Sequence, residues 1–124
     1  MSTKMKIVIF GLLGRGGNLY YTVCLANVAA EKQDVWTVIP NYADKSLFSK
    51  KVKLITLDAP ANIKGTLSAA MKNNNLNSVA EKILKINPDV IHFKDNHIFY
   101  LYFARKFKKQ LPNTKVFWTC HDPQ

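Results

Sequence analysis

The sequence is poor in cysteine, in acid and in long apolar runs, and each shortage narrows its reading. Two cysteines, Cys24 and Cys120, in 124 residues make no disulfide framework. Their spacing fits no zinc site. Both sit in apolar stretches, which predicts reduced, packed thiols and an intracellular setting. No stretch is long and apolar enough to cross a bilayer. The start, MSTKMKIVIFGLLGRGG, places lysines before an apolar run, as a secretory leader does. The run is short, however, Arg15 soon interrupts it, and no small-x-small cleavage site closes it. A buried first strand is expected there instead. Repeats and low-complexity linkers are also absent. Only 8 Asp and Glu stand against 18 Lys and Arg. That excess bears on partners and solubility rather than on fold. It points to anionic lipid surfaces, nucleic acid or a phosphorylated substrate.

The chain does hold a regular alternation of apolar strands and helical stripes. It is 48% hydrophobic and long enough for one compact domain, residues 1–124. Met5 to Gly11 reads as a buried strand, being nearly all apolar and rich in β-branched residues. Asn18 to Lys32 reads as a helix, with Leu19, Val23, Ala26 and Ala30 on one stripe and Asn18 able to cap its start. Asp34 to Ile39 is a second strand, stopped by Pro40. Lys45 to Ser49 is a loop or short helix, and Val52 to Leu57 a third strand. Helices are expected over Ile63 to Lys72 and Leu76 to Ile86, with a break at the NNN run between them. Asp89 to Phe93 is a fourth strand, His97 to Gln110 a helix, and Lys115 to Thr119 a fifth strand. Strands alternating with helices imply an α/β fold: a doubly wound, mostly parallel sheet with right-handed crossovers.

In such a sheet, ligands bind at the carboxyl ends of the strands. Three segments should meet there: the glycine turn after the first strand, HFKDNH after the fourth and CHDPQ after the fifth. The turn, FGLLGRGGNLYY, opens a helix, and a glycine turn in that place often cradles phosphate. It does not complete the dinucleotide fingerprint, because Leu19 stands where the third glycine belongs. The second strand also ends VIPNY, with Asp44 a few residues late for a ribose-binding acid. The nucleoside-triphosphate loop fails for want of a closing G-K-[ST]. Two readings of Gly16 and Gly17 remain: a backbone that lets a ligand approach, or a tight turn.

Three patterns occur together and in order: MKIVIFGLLGRGGNLYYTVCLANVAA, NPDVIHFK and KVFWTCHDPQ. Together they resemble the N-terminal domain of the family 4 glycosyltransferases, retaining enzymes of the GT-B fold. The resemblance spans nearly the whole chain, although NIKGTLSAAMKNNN carries no signature. It implies one of two facing Rossmann-like halves. The N-terminal half of that family mostly holds the acceptor, and the C-terminal half holds the nucleotide-diphosphate sugar with a Glu-x7-Glu motif. The resemblance also implies that Gly16 and Gly17 reach the donor phosphates and that His121 lies beside the transferred sugar. Family members run roughly twice to three times this length, as two domains require. The chain is therefore expected to be a piece of a longer enzyme or one half of a split one, inactive alone. The alternative is a stand-alone nucleotide- or dinucleotide-binding module.

The remaining candidates carry two readings each. Arg15 can meet an anion or simply be solvated. Asn18 adjoins the same turn. His121 can donate to a sugar hydroxyl or be a structural histidine. Asp122 can contact the acceptor or cap its loop. Cys120 and His121 alternate along a strand and should point apart, which disfavours a nucleophile pair. His92, at the end of a buried strand, lies near the cleft or is packed. A set of His92, Asp95, His97 and His121 has no metal-binding spacing, and the resemblance implies metal-independent chemistry, so no metal is expected. The resemblance likewise implies no cofactor, only a nucleotide sugar as co-substrate. On the helix YLYFARKFKKQ, Tyr100, Phe103 and Phe107 share one face, and Arg105, Lys106, Lys108 and Lys109 cluster toward the other. That basic face is a solvated surface or a dock for anionic lipid. No RNA- or DNA-binding module is recognisable. The expected setting is cytoplasmic, peripheral to the inner face of a membrane, in cell-envelope or polysaccharide synthesis.

Overall fold

A computed structural model describes residues 4–13, 16–58, 75–94 and 99–119. Five strands form one sheet: β1 (Lys6–Phe10), β2 (Asp34–Pro40), β3 (Val52–Leu57), β4 (Val90–Phe93) and β5 (Lys115–Trp118). Their spatial order is β3-β2-β1-β4-β5, and every pairing is parallel. Three helices accompany them among the described residues: α1 (Gly16–Ala30), α2 (Asn75–Ile86) and α3 (Tyr100–Gln110). A single 3-10 turn, Lys45–Leu47, precedes β3, with the Asp44 carboxylate accepting from the Ser46 amide at 3.0 Å. The chain thus has a Rossmann-like, doubly wound α/β fold. The expected helix over residues 63–72 lies outside the described residues.

Strand alternation sorts side chains to two faces. Val8 and Phe10 of β1, Val38 of β2, Ile55 and Leu57 of β3, and Ile91 and Phe93 of β4 join one core with α2 and α3. Ile9, Val35, Ile39 and Val52 join the other with Leu19, Val23, Ala26 and Ala30 of α1. The first core is aromatic. The Phe10 ring lies 4.9 Å from both Phe93 and Phe103, centroid to centroid, and Tyr100 packs 4.7 Å from Phe93. Tyr100, Phe103 and Phe107 are fully buried, as the helical stripe predicts. β5 differs from the inner strands: all four of its residues are exposed, although Trp118 stacks on Phe93 at 4.5 Å.

Two expectations need correction. α1 begins at Gly16, so Asn18 sits inside the first turn instead of capping it. The positive φ of Gly16, 58°, makes the entry that a capping side chain was expected to make. Cys24 is exposed, not packed. It follows Val23 by one residue, and the 100° step of a helix carries it off the buried stripe. Apolar neighbours in sequence do not bury a helical residue; its angle around the axis does.

Candidate functional site

The carboxyl ends of β1, β4 and β5 lie side by side and are stitched by backbone hydrogen bonds. The Lys94 amide donates to the Phe10 carbonyl at 3.0 Å, and the Thr119 amide to the Phe93 carbonyl at 3.0 Å. On the other side of β1, the Gly11 amide donates to the Val38 carbonyl at 2.9 Å. Just beyond β1, the Leu12 amide donates to the buried Tyr100 hydroxyl at 3.0 Å, tying the exit of that strand to α3. Of the three segments expected to converge, the described parts of the first two lie side by side, whereas CHDPQ lies outside the described residues, which end at Thr119.

α1 is brought unusually close to β1. A Cβ on Gly11 would lie 2.7 Å from both Cγ2 and Oγ1 of Thr22. Thr22 is fully buried and donates its hydroxyl to the Asn18 carbonyl at 3.0 Å, so it has little room to give. The close approach thus belongs to Gly11. Gly16 and Gly17 are different: both are exposed, and a Cβ on either would meet nothing within 4 Å. Gly16 makes the left-handed entry to the helix, and no described residue crowds the Cβ position of Gly17. The first turn of α1 contains no acidic residue, leaving its N–H groups and the positive end of the dipole uncovered by carboxylate from that turn.

His92 and Lys94 flank Phe93 and point to the opposite face, toward α1. His92 Nε2 hydrogen-bonds Thr119 Oγ1, joining β4 to the exit of β5. Burial holds the His92 imidazole below its ordinary pKa of 6.5, and the nearby Lys94 charge pushes the same way. Lys94 is fully buried. Its ammonium donates to the Asn18 carbonyl at 2.8 Å and lies 5.2 Å from the Tyr21 ring centroid. This sheet end thus brings together the N-terminus of α1, the His92 imidazole and the buried Lys94 ammonium.

Of the sequence candidates, Gly16, Gly17, Asn18 and His92 are brought to this one end of the sheet. Arg15, His121 and Asp122 lie outside the described residues, as do Cys120, Asp95 and His97. Lys94, Thr119 and Thr22 were missed. Alternation gave a usable signal for Lys94, which lies two residues past His92 and so shares its face. No family model matches the chain, and no curated protein or solved structure matches it.

Proposed function

We propose that this chain is the acceptor-side part of a retaining glycosyltransferase that moves a sugar from a nucleotide-diphosphate donor to a glycan or lipid-linked acceptor. One observation carries the reading: the exposed Gly16–Gly17 backbone starts a helix at the same sheet end to which β4 and β5 deliver His92 and Thr119. His121 comes two residues after Thr119. In this reading the amides of Gly16 and Gly17 face the donor diphosphate, where N–H groups and the helix dipole favour negative charge. His121 contacts the transferred sugar as positive charge builds at the anomeric carbon, and Asp122 and Arg15 border the acceptor. The remaining donor contacts come from a second Rossmann-like unit, in a longer chain or a partner chain. No metal enters the transfer step.

The exposed basic side chains of α3, Arg105, Lys108 and Lys109, support a peripheral position on an anionic, cytoplasmic membrane face. No helix among the described residues is long and apolar enough to cross a membrane.

The test is sugar transfer by the complete two-unit enzyme, with His121→Ala as the variant. The expected result is a loss of kcat of about a hundredfold or more with a folded protein. An undiminished rate removes His121 from the chemistry. Tight binding of NAD(H) by the isolated chain, with no transfer, would favour the alternative of a stand-alone dinucleotide-binding module.

A further inference from the structure

The two edges of the sheet are built differently. β3 sets Lys53 and Thr56 into solvent, and exposed Lys51 stands just before it. Lysine on an edge discourages pairing with another strand. The centre of β5 has no such guard: Val116, Phe117 and Trp118 are 36%, 52% and 45% exposed. Register with Ile91, His92 and Phe93 puts Val116 and Trp118 on the α3 side and Phe117 on the α1 side. A strand apolar on both sides is the pattern of an inner strand of a parallel sheet, yet β5 stands at an edge. The Lys115 and Thr119 amides donate inward, to the Asp89 and Phe93 carbonyls. Alternation therefore turns the amides and carbonyls of Val116 and Trp118 outward. Among the described residues, no strand pairs with them.

We propose that β5 is a self-association edge: a second copy of this chain lays its own β5 antiparallel against it, across a two-fold axis at Phe117. In this register Val116 of each copy exchanges two hydrogen bonds with Trp118 of the other, so every outward amide and carbonyl of both residues is used. The two Phe117 side chains then stand opposite each other at a closely spaced position, where aromatic pairs add stability. The charge pattern fits the same arrangement. Each copy carries a formal charge of +10, so most surfaces repel their counterparts. Here Lys115 falls opposite Thr119 of the other copy, and no lysine of β5 faces another. Pairing two β3 edges would instead bring Lys51 and Lys53 of both copies together. The inference stands apart from the nucleotide-sugar reading.

Sedimentation equilibrium of the wild-type chain should show a monomer–dimer equilibrium with a Kd on the order of 10–100 µM, as suits a short edge. The dimer should tighten as salt rises, because screening weakens the repulsion between two basic chains. Phe117→Lys and Val116→Pro should each raise the Kd at least about tenfold; the proline removes an outward amide and no bond to β4. Val28→Lys, on the exposed side of α1, should leave the Kd within about threefold of wild type. A wild-type chain still monomeric at about 500 µM overturns the inference. A dimer that survives both β5 variants, or one lost in Val28→Lys instead, also overturns it. If a β5 variant does not fold, hydrogen exchange of the wild-type chain decides. Exchange at the Val116 and Trp118 amides should slow as chain concentration rises through the Kd, and rates independent of concentration overturn the inference.

Discussion

Three glycines lie close together in the sequence and answer to three different constraints. Gly11 is a packing glycine. Gly11→Ala forces a methyl group into Thr22, whose β-branched side chain has little freedom in a helix. Denaturant unfolding should show a loss of about 1–3 kcal/mol. Gly16 is a conformational glycine: alanine at its φ of 58° meets no neighbour, yet costs about 1–2 kcal/mol in backbone strain. Gly17→Ala has neither problem, and its stability should stay within about 1 kcal/mol of wild type. At the same scale, His92 predicts a pH dependence. Its folded pKa lies below the unfolded value near 6.5, so the unfolded chain takes up the proton first. Stability from this residue is fully present above pH 6.5. It is lost as pH falls from there toward the lower folded pKa. His92→Gln should flatten that part of a stability-against-pH curve; an unchanged acid limb would show that other groups cause it.

Among the elements, α3 does most to hold the sheet end in place. Its inner face is Tyr100, Phe103 and Phe107, all 0% exposed, and Tyr100 also anchors the exit of β1 through the Leu12 amide. Phe103→Ala should cost about 3–5 kcal/mol in denaturant unfolding. Leu101→Ala, at a position 67% exposed, should change stability by about 0.5 kcal/mol or less. The outer face is polar and basic, with Lys106 lying 3.9 Å from Glu81 of α2 and Tyr102 donating to Asn77. This amphipathic division was plain in the sequence because the spacing of three aromatics settles a helical face. The strands were plain for related reasons: β1, an inner strand, reads as an apolar run and was placed within a residue, while β3, at an edge, alternates and was placed in full. Other features were harder to read. KVFWT looks like any strand, and its exposure reflects an edge position that composition does not encode. The start of α1 depends on the φ of Gly16, for which Asn18 looked the better cap. Lys94 was overlooked because lysine is rarely buried, and only the three-dimensional meeting of β4 with α1 removes it from water.

Across the whole molecule, the parallel order β3-β2-β1-β4-β5 gathers residues far apart in sequence onto one edge. That edge combines a helix N-terminus whose first turn holds no acid with Lys94 and a histidine whose pKa is held below its ordinary value. The chain's surplus of 18 Lys and Arg over 8 Asp and Glu reinforces its attraction for anions at long range. Two other places could claim an anion: the basic outer face of α3 and the amino end of the sheet near Lys4 and Lys115. The proposed diphosphate site at the carboxyl end differs from both in lying at the N-terminus of α1. The decisive measurement is a residue-resolved amide spectrum of the isolated chain with rising UDP at fixed salt. The largest shifts should fall on Gly16, Gly17 and Asn18, with smaller ones at His92, Lys94 and Thr119. Shifts confined to α3 or to the amino end of the sheet, or none at all, would contradict a diphosphate site at that turn.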